Sequence, residues 1–374
     1  MTGGTGNMGW AGFKELYARR DRFDIRLLAR DSKKNRKLLQ PYLDDPSVTV
    51  VWGDLMRYED VLQGVTGADY VLHVGGMVSP AADYYPEKTL KVNVGSAENV
   101  VKAVLAQPDA DNIKVVYIGS VAQYGDRNPP HHWGCAADRQ VPAEFDMYAV
   151  SKIRSEEVFA KAGLRNWVSL RQSGILYPGI LSVVNPTAFH VPMGGVLEWA
   201  TIEDSGRLLA QVCEDWVPED FWNKAYNISS GEQYRMTNYE FMKRMLNALG
   251  LPDPEKVFEP QWFALKNFHG MWYKDADLLE DVLHVRAYVP VDEYFATMKS
   301  TLPWFYRLSF LAPAWAVRMF MKPFAYEKGL GTQWWVAHDP EKFKAYYGSR
   351  EAYEAIRTWD DIRPLPLDKT CHIK

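Results

Sequence analysis

Tyr148 and Lys152 stand four residues apart in Tyr148-Ala149-Val150-Ser151-Lys152, which opens a run of helical composition reaching about Ala162. On a helix that spacing puts both side chains on one face. An ammonium beside a phenol is expected to lower a pKa that starts near ~10. A phenol poised in this way can take a proton from an alcohol or give one to a carbonyl. Ser120, at the end of the apolar run Lys114–Ile118, could hydrogen-bond the same oxygen. A second group lies at the start of the chain, where Gly3, Gly6 and Gly9 recur at intervals of three before a helix-compatible run from Trp10 to Arg20. A glycine turn that opens a helix lets backbone N–H groups and the positive end of the helix dipole face a pyrophosphate. Each group is a weak signal alone. Glycine turns also occur in plain surface loops, and a tyrosine and lysine at this spacing also occur on ordinary helices.

These residues need elements to hold them. Apolar runs of strand length recur at Asp24–Asp31, Ser47–Val51, Tyr70–Val74 and Lys114–Ile118, and helical stretches separate them, Thr89–Ala106 being the longest. Alternation at this spacing predicts a doubly wound parallel sheet of the α/β class, with its site at the carboxyl ends of the strands. Ala225–Gly231 reads as the last strand and Asn238–Leu249 as a helix. Such a sheet needs a buried strand directly before the glycine turn, and Met1 leaves no room for one. The expectation is therefore that the natural chain begins several residues upstream. The first strand past the glycines ends in Ala29-Arg30, followed by Ser32, Lys33 and Lys34. An acid there would hold the 2′-hydroxyl of NAD, whereas Arg30 suits the 2′-phosphate of NADP. NADP is the reading taken, NAD or a merely solvated basic loop the alternatives. Asp54, in Gly53-Asp54-Leu55, could bond the adenine amino group.

The chain has 374 residues, 47% apolar and 24% charged, and a net charge of -4, which gives no footprint for nucleic acid. Cys135, Cys213 and Cys371 are odd in number and far apart, which suits a reducing cytoplasm better than a disulfide framework. No apolar run of about 18 residues offers a spanning helix. His131, His132 and Cys135 share a polar loop without a further ligand at useful spacing, so no metal is expected.

Taken together, the motifs resemble the extended short-chain dehydrogenases/reductases, also called the NAD-dependent epimerase/dehydratase family. The resemblance rests on Thr2–Gly9, Gly53–Leu55, Asn93–Ser96, Gly119–Gly125, Tyr148–Lys152 and Arg171–Gly179, and covers residues 1 to about 250. It implies an oxidoreductase in which Ser120, Tyr148 and Lys152 are catalytic and Asn93 supports the lysine. It also implies a cofactor crevice made by Gly3, Thr5, Gly6, Asn7, Met8, Gly9, Arg30, Asp54, Leu55, Val74, Gly75, Gly76 and Ile118. Tyr148, Lys152, Gln172, Gly174 and Ile175 would complete it beside the nicotinamide. Two departures stand out: Gly75-Gly76 where the family usually has two alanines, and Gln172 where a proline usually follows the arginine. Nucleotide-sugar enzymes of the family tend to carry a long insertion with arginines after Pro178. Here few cations lie between Gly179 and Asp204.

Residues 1–178 are therefore expected to form the dinucleotide-binding core and 179–250 a segment returning to the sheet. Residues 251–374 would form an aromatic-rich, mostly helical cover, since seven of the 14 tryptophans lie between Trp262 and Trp359. The expected function is NADP(H)-dependent interconversion of a secondary alcohol and a ketone or aldehyde, on a hydrophobic substrate that is cyclic or aromatic. The alternatives are an NAD-dependent nucleotide-sugar epimerase or dehydratase, and a non-catalytic NADP-binding redox sensor. Phe189, Met193, Trp199, Trp262, Phe268, Trp272 and the 304–324 run are candidates to wall the substrate pocket. For the apolar stretch 302–324 three roles compete: a lid over the pocket, packing within the chain or a homodimer, and peripheral membrane contact.

Overall fold

The computed structural model describes residues 1–372, the side chain of Arg307 excepted. Its centre is a parallel sheet. Strands β1 (Ile25–Ala29) and β2 (Val48–Trp52) pair on one side, in the register Ile25 to Val48. On the other side β3 (Tyr70–His73), β4 (Lys114–Ser120) and the strands Asn166–Gln172 and Lys224–Ile228 follow in that order. All of these pairs are parallel, so every connection between them must cross over a face of the sheet, mostly through helices.

The expected gap before the glycine turn is bridged by two residues. Thr2 makes parallel bridges to both Leu28 and His73. Its N–H donates to Leu72 O at 2.9 Å, and Leu28 N–H donates to Met1 O at 3.0 Å. The Met1 ammonium donates to Arg26 O at 2.6 Å, and burial lowers its pKa to about 6. Strand order reverses on either side of Thr2, and a doubly wound sheet opens its crevice at such a reversal.

Helices cover both faces. Helix α1 (Asn7–Tyr17) packs on the helix Ile202–Gln211, where the glycines let the backbones close up. A Cβ on Gly206 would stand 2.7 Å from Ala11 Cβ. The other face carries Pro86–Leu105 against Met147–Lys161. The C-terminal part is mostly helical, as expected, with Leu278–Leu283 and Val291–Met298 among its helices. Phe189 and aromatic residues of the 258–359 stretch build a second core in which Phe189, Trp335, Tyr347 and Phe263 are almost fully buried.

Gly206→Val should overpack the contact with Ala11 and lower the unfolding free energy by about 1–3 kcal/mol. Urea unfolding of the variant beside the wild type measures this; equal midpoints would show that the two helices tolerate separation.

Candidate active site

Immediately after the reversal point the chain turns through Gly3, whose φ of +70° is left-handed. A Cβ there would lie 2.6 Å from Gly75 N, and one on Gly9 would lie 2.1 Å from Gly3 O. Side chains at either position would break the approach of α1 to the sheet. Gly6 caps α1, and the N-terminal turn of that helix, Asn7, Met8 and Gly9, faces the crevice. Thr2 Oγ1 accepts from Gly75 N–H (3.1 Å) and meets His73 Nδ1 at 3.0 Å. Burial pushes the His73 pKa down to about 3, so the ring is neutral and structural.

At the far end of β1, Arg30 lines the crevice with Ser32 and Lys34. The adjacent acid, Asp31, is held by Arg36 through two contacts of 2.6 and 2.7 Å. Ser32 Oγ accepts from Asn35 N–H and caps the helix Lys33–Leu39. Asp54 lines the same end, with Oδ1 accepting from Met56 N–H at 2.9 Å. Leu55, Val74, Gly76 and Ile118 continue the lining toward the centre.

Ser120, Tyr148 and Lys152 meet at the carboxyl ends of the strands. Ser120 ends β4, and its N–H donates to Gln123 Oε1 at 2.6 Å in a reciprocal cap that fixes the backbone. Asp146 Oδ1 accepts from Ala149 N–H and caps the helix that carries Tyr148 and Lys152. Lys152 Nζ donates to Ile118 O at 2.7 Å and lies 5.9 Å from the centre of the Tyr148 ring. Burial lowers the Lys152 pKa to about 8. Burial likewise raises Tyr148 to about 12; the Ser120 hydrogen bond opposes this, and the charges of Asp146 and Asp83 add to it. The expected lowering of the phenol by the lysine is therefore not found. The lysine is committed to a carbonyl, and desolvation dominates the phenol.

Asn93 also departs from expectation. Its Nδ2 donates to Met77 O and Ser151 Oγ, and its Oδ1 accepts from Met77 N–H at 2.7 Å. It holds the loop after β3 against the helix that carries Tyr148 and Lys152, and makes no hydrogen bond to Lys152 among the described residues.

Gln172 is buried beside this centre, and neither its Oε1 nor its Nε2 finds a protein partner. With Gly174 and Ile175 it lines the cavity. An unsatisfied buried amide at this spot fits a polar ligand group such as a carboxamide.

Below the centre lies a buried ionic network. Arg171 reaches Glu156 at 2.5 Å, and Gln123 and Ser169 also donate to that carboxylate. The Arg171 guanidinium and these donors hold the Glu156 pKa below the usual carboxylate value, although burial alone would raise it.

Beyond Tyr148 the crevice widens into a cavity of about 2040 Å³ in all, larger than one small ligand needs. Met193, Trp199 and Phe268 wall it, as do Tyr306, Phe320 and Met321 from the 304–324 run. Three candidates lie elsewhere. Phe189 and Trp262 are buried in the second core, and Trp272 packs edge-on to Trp133 at 5.5 Å. No Lys, Arg, Asp or Glu after Pro178 lines the cavity among the described residues. His269 does, with Nδ1 3.2 Å from Asp146 Oδ2; so do Asp83 and Tyr346. Asp146 could have been read from its capping position, but nothing in the sequence marks Asp83, His269 or Tyr346, which come from distant segments.

The model of the NAD dependent epimerase/dehydratase family matches residues 1–172. A UDP-glucose 4-epimerase from Rickettsia canadensis is 34% identical over 109 residues, 28% of this chain and 32% of that protein's length. The chain thus matches about a third of that curated relative. A dTDP-glucose 4,6-dehydratase from Streptomyces venezuelae, solved with NAD bound, superposes with a TM-score of 0.62 at 19% identity, over 79% of this chain and 94% of that one. The dTDP-glucose 4,6-dehydratase from Bacillus anthracis, in complex with NAD, gives 0.60 at 15% identity, over 79% and 93%. At such identities these likenesses are likenesses of fold.

Loss of the phenol in Tyr148→Phe should cut turnover by ~10²–10⁴ with cofactor affinity nearly intact. Because the Lys152 pKa is lowered to about 8 while Tyr148 stays protonated to about 12, kcat/KM for carbonyl reduction should fall as pH rises through about 8. A profile flat across the alkaline range would remove the lysine charge from the mechanism.

Proposed function

We propose, from the match of residues 1–172 to the NAD dependent epimerase/dehydratase family model, that the protein is an NADP(H)-dependent oxidoreductase of that family. It interconverts a secondary alcohol and a ketone or aldehyde on an uncharged, largely apolar substrate. The observation that carries the substrate class is the cavity wall after Pro178, which is rich in apolar side chains and has no charged Lys, Arg, Asp or Glu among the described residues. A diphosphate would leave its charges there without charge-assisted donors. Burial of two or three aromatic contacts, at about 25 cal/mol per Å², holds an uncharged ring system without any ion pair.

The crevice residues fit a dinucleotide: the glycine turn and α1 for the pyrophosphate, Arg30 with Ser32 and Lys34 for a 2′-phosphate, Gln172 for the carboxamide. When bound, the nicotinamide supplies or accepts the hydride. The chain's own part is proton transfer and orientation. Tyr148, protonated at neutral pH, gives its proton to the carbonyl oxygen as the carbon is reduced. Ser120 donates a hydrogen bond to the same oxygen. Lys152, anchored on Ile118 O, keeps a positive charge beneath the site that favours the phenolate left behind.

The comparisons favour a second reading, a nucleotide-sugar epimerase or dehydratase with NAD retained through turnover, which would use the same three residues. Sequence likeness to UDP-glucose 4-epimerase and fold likeness to dTDP-glucose 4,6-dehydratases support it. Incubation with UDP-glucose, dTDP-glucose and a panel of cyclic and aromatic ketones, each with NADPH and with NADH, separates the two. Consumption of reduced cofactor with an apolar ketone supports the first reading. Turnover of a nucleotide sugar without net cofactor change establishes the second. Arg30→Ala should weaken NADP about tenfold and leave NAD nearly unchanged; equal losses, or tighter wild-type binding of NAD, would remove the NADP assignment.

A further inference from the structure

The stretch that walls the cavity with one face has a second face that none of the described residues covers. Helix Ala314–Ala325 packs Ala314, Val317, Met321 and Phe324 toward the second core. Its outward positions are apolar as well: Trp315 is 67% exposed and Met319 64%. The preceding turn, Trp304–Leu311, adds Trp304 at 71% and Leu311 at 66%, with Phe310 also exposed. Together these five side chains show on the order of 800 Å², above the roughly 300–600 Å² of the largest patch on an ordinary monomer. No helix among the described residues is long and apolar enough to cross a membrane, so a patch of this kind meets another surface.

Charge decides between the occupants. From Leu302 to Tyr326 there is no Asp or Glu. Arg318 is paired with Glu259 at 2.8 Å, while Lys256 and Lys322 make no ion pair among the described residues and border a groove with Trp315 and Met319. A second copy related by a two-fold axis would set this patch against itself, bringing cation toward cation. An anionic bilayer surface offers the opposite: phosphates for the lysines and an interface that accepts tryptophan.

We propose that the 304–322 segment is a monotopic anchor that seats the protein on an anionic lipid bilayer, Trp304, Trp315 and Met319 entering the headgroup region. The inner face of the same segment, through Tyr306, Phe320 and Met321, lines the cavity, so the seated protein presents the cavity wall at the membrane surface. This seating does not depend on which substrate reading holds.

Sedimentation of the full chain with vesicles of phosphatidylcholine alone, and of phosphatidylcholine mixed equally with phosphatidylglycerol, tests the proposal. Wild type should pellet with the anionic vesicles, and the triple variant Trp304→Gln, Trp315→Gln, Met319→Gln should lose about tenfold or more in partitioning while keeping its melting temperature and its cofactor affinity. Lys322→Glu should weaken binding to anionic vesicles only. Brominated lipid should quench wild-type tryptophan fluorescence more than that of Trp304→Phe/Trp315→Phe, a readout that survives if the triple variant fails to fold. Absence of wild-type pelleting, unchanged pelleting of the variants, or a wild-type dimer that the triple variant dissociates would each overturn the anchor.

Discussion

The arrangement depends on the pairing of Thr2 between two strands of the sheet. Thr2 is bonded to Leu72 on one side while Met1 accepts from Leu28 on the other, and both flanking strands run parallel to it. Because the strand order reverses there, the loops after Thr2 and after β3 leave in opposite directions and open a crevice. Gly3 sits at the head of that crevice, and its contact with Gly75 ties the two loops together. Everything with chemistry is measured from this point: the helix dipole of α1 on one side, Ser120 and the catalytic helix on the other.

Polar groups in the interior serve to hold the reacting groups still. Lys152 sits against Ile118 O, and Asn93 spans Met77 and Ser151. Underneath, Glu156 and Arg171 are paired and further bonded by Ser169, Gln123 and Tyr124. A buried pair of this kind adds little net stability, since desolvation offsets attraction, but losing one partner leaves the other charged and buried. Its effect is positional: Gln123 links the Glu156 carboxylate to the backbone of Ser120. Among the exceptions are the two unsatisfied polar atoms of Gln172, a residue that lines the cavity.

The C-terminal aromatics divide into two populations with different physics. Those facing inward, such as Trp335, Phe263 and Trp262, fill a core closely enough that their ring contacts lie mostly between 4.6 and 6.3 Å. Those on the 304–320 stretch share the composition and yet stand in solvent. Substrate space lies between the two populations, which makes the cavity apolar on the side away from the sheet.

By itself the sequence determined the fold class, the crevice and the meeting of Ser120, Tyr148 and Lys152, because each rests on local spacing: glycines at intervals of three, strands alternating with helices, a tyrosine and lysine one helical turn apart. Backbone geometry converts such spacing into position with little help from elsewhere. Tertiary structure alone decided the protonation of the site, since the Tyr148 and Lys152 pKa values follow from burial and not from the distance between the two residues. It alone decided that Asn93 serves a loop, that Asp31 is taken by Arg36, and that Trp262 and Trp272 belong to packing while Phe268 and Tyr346 face the cavity. Aromatic residues with no periodic signature look alike along the chain; which of them is core, wall or surface depends on what folds over them from hundreds of residues away.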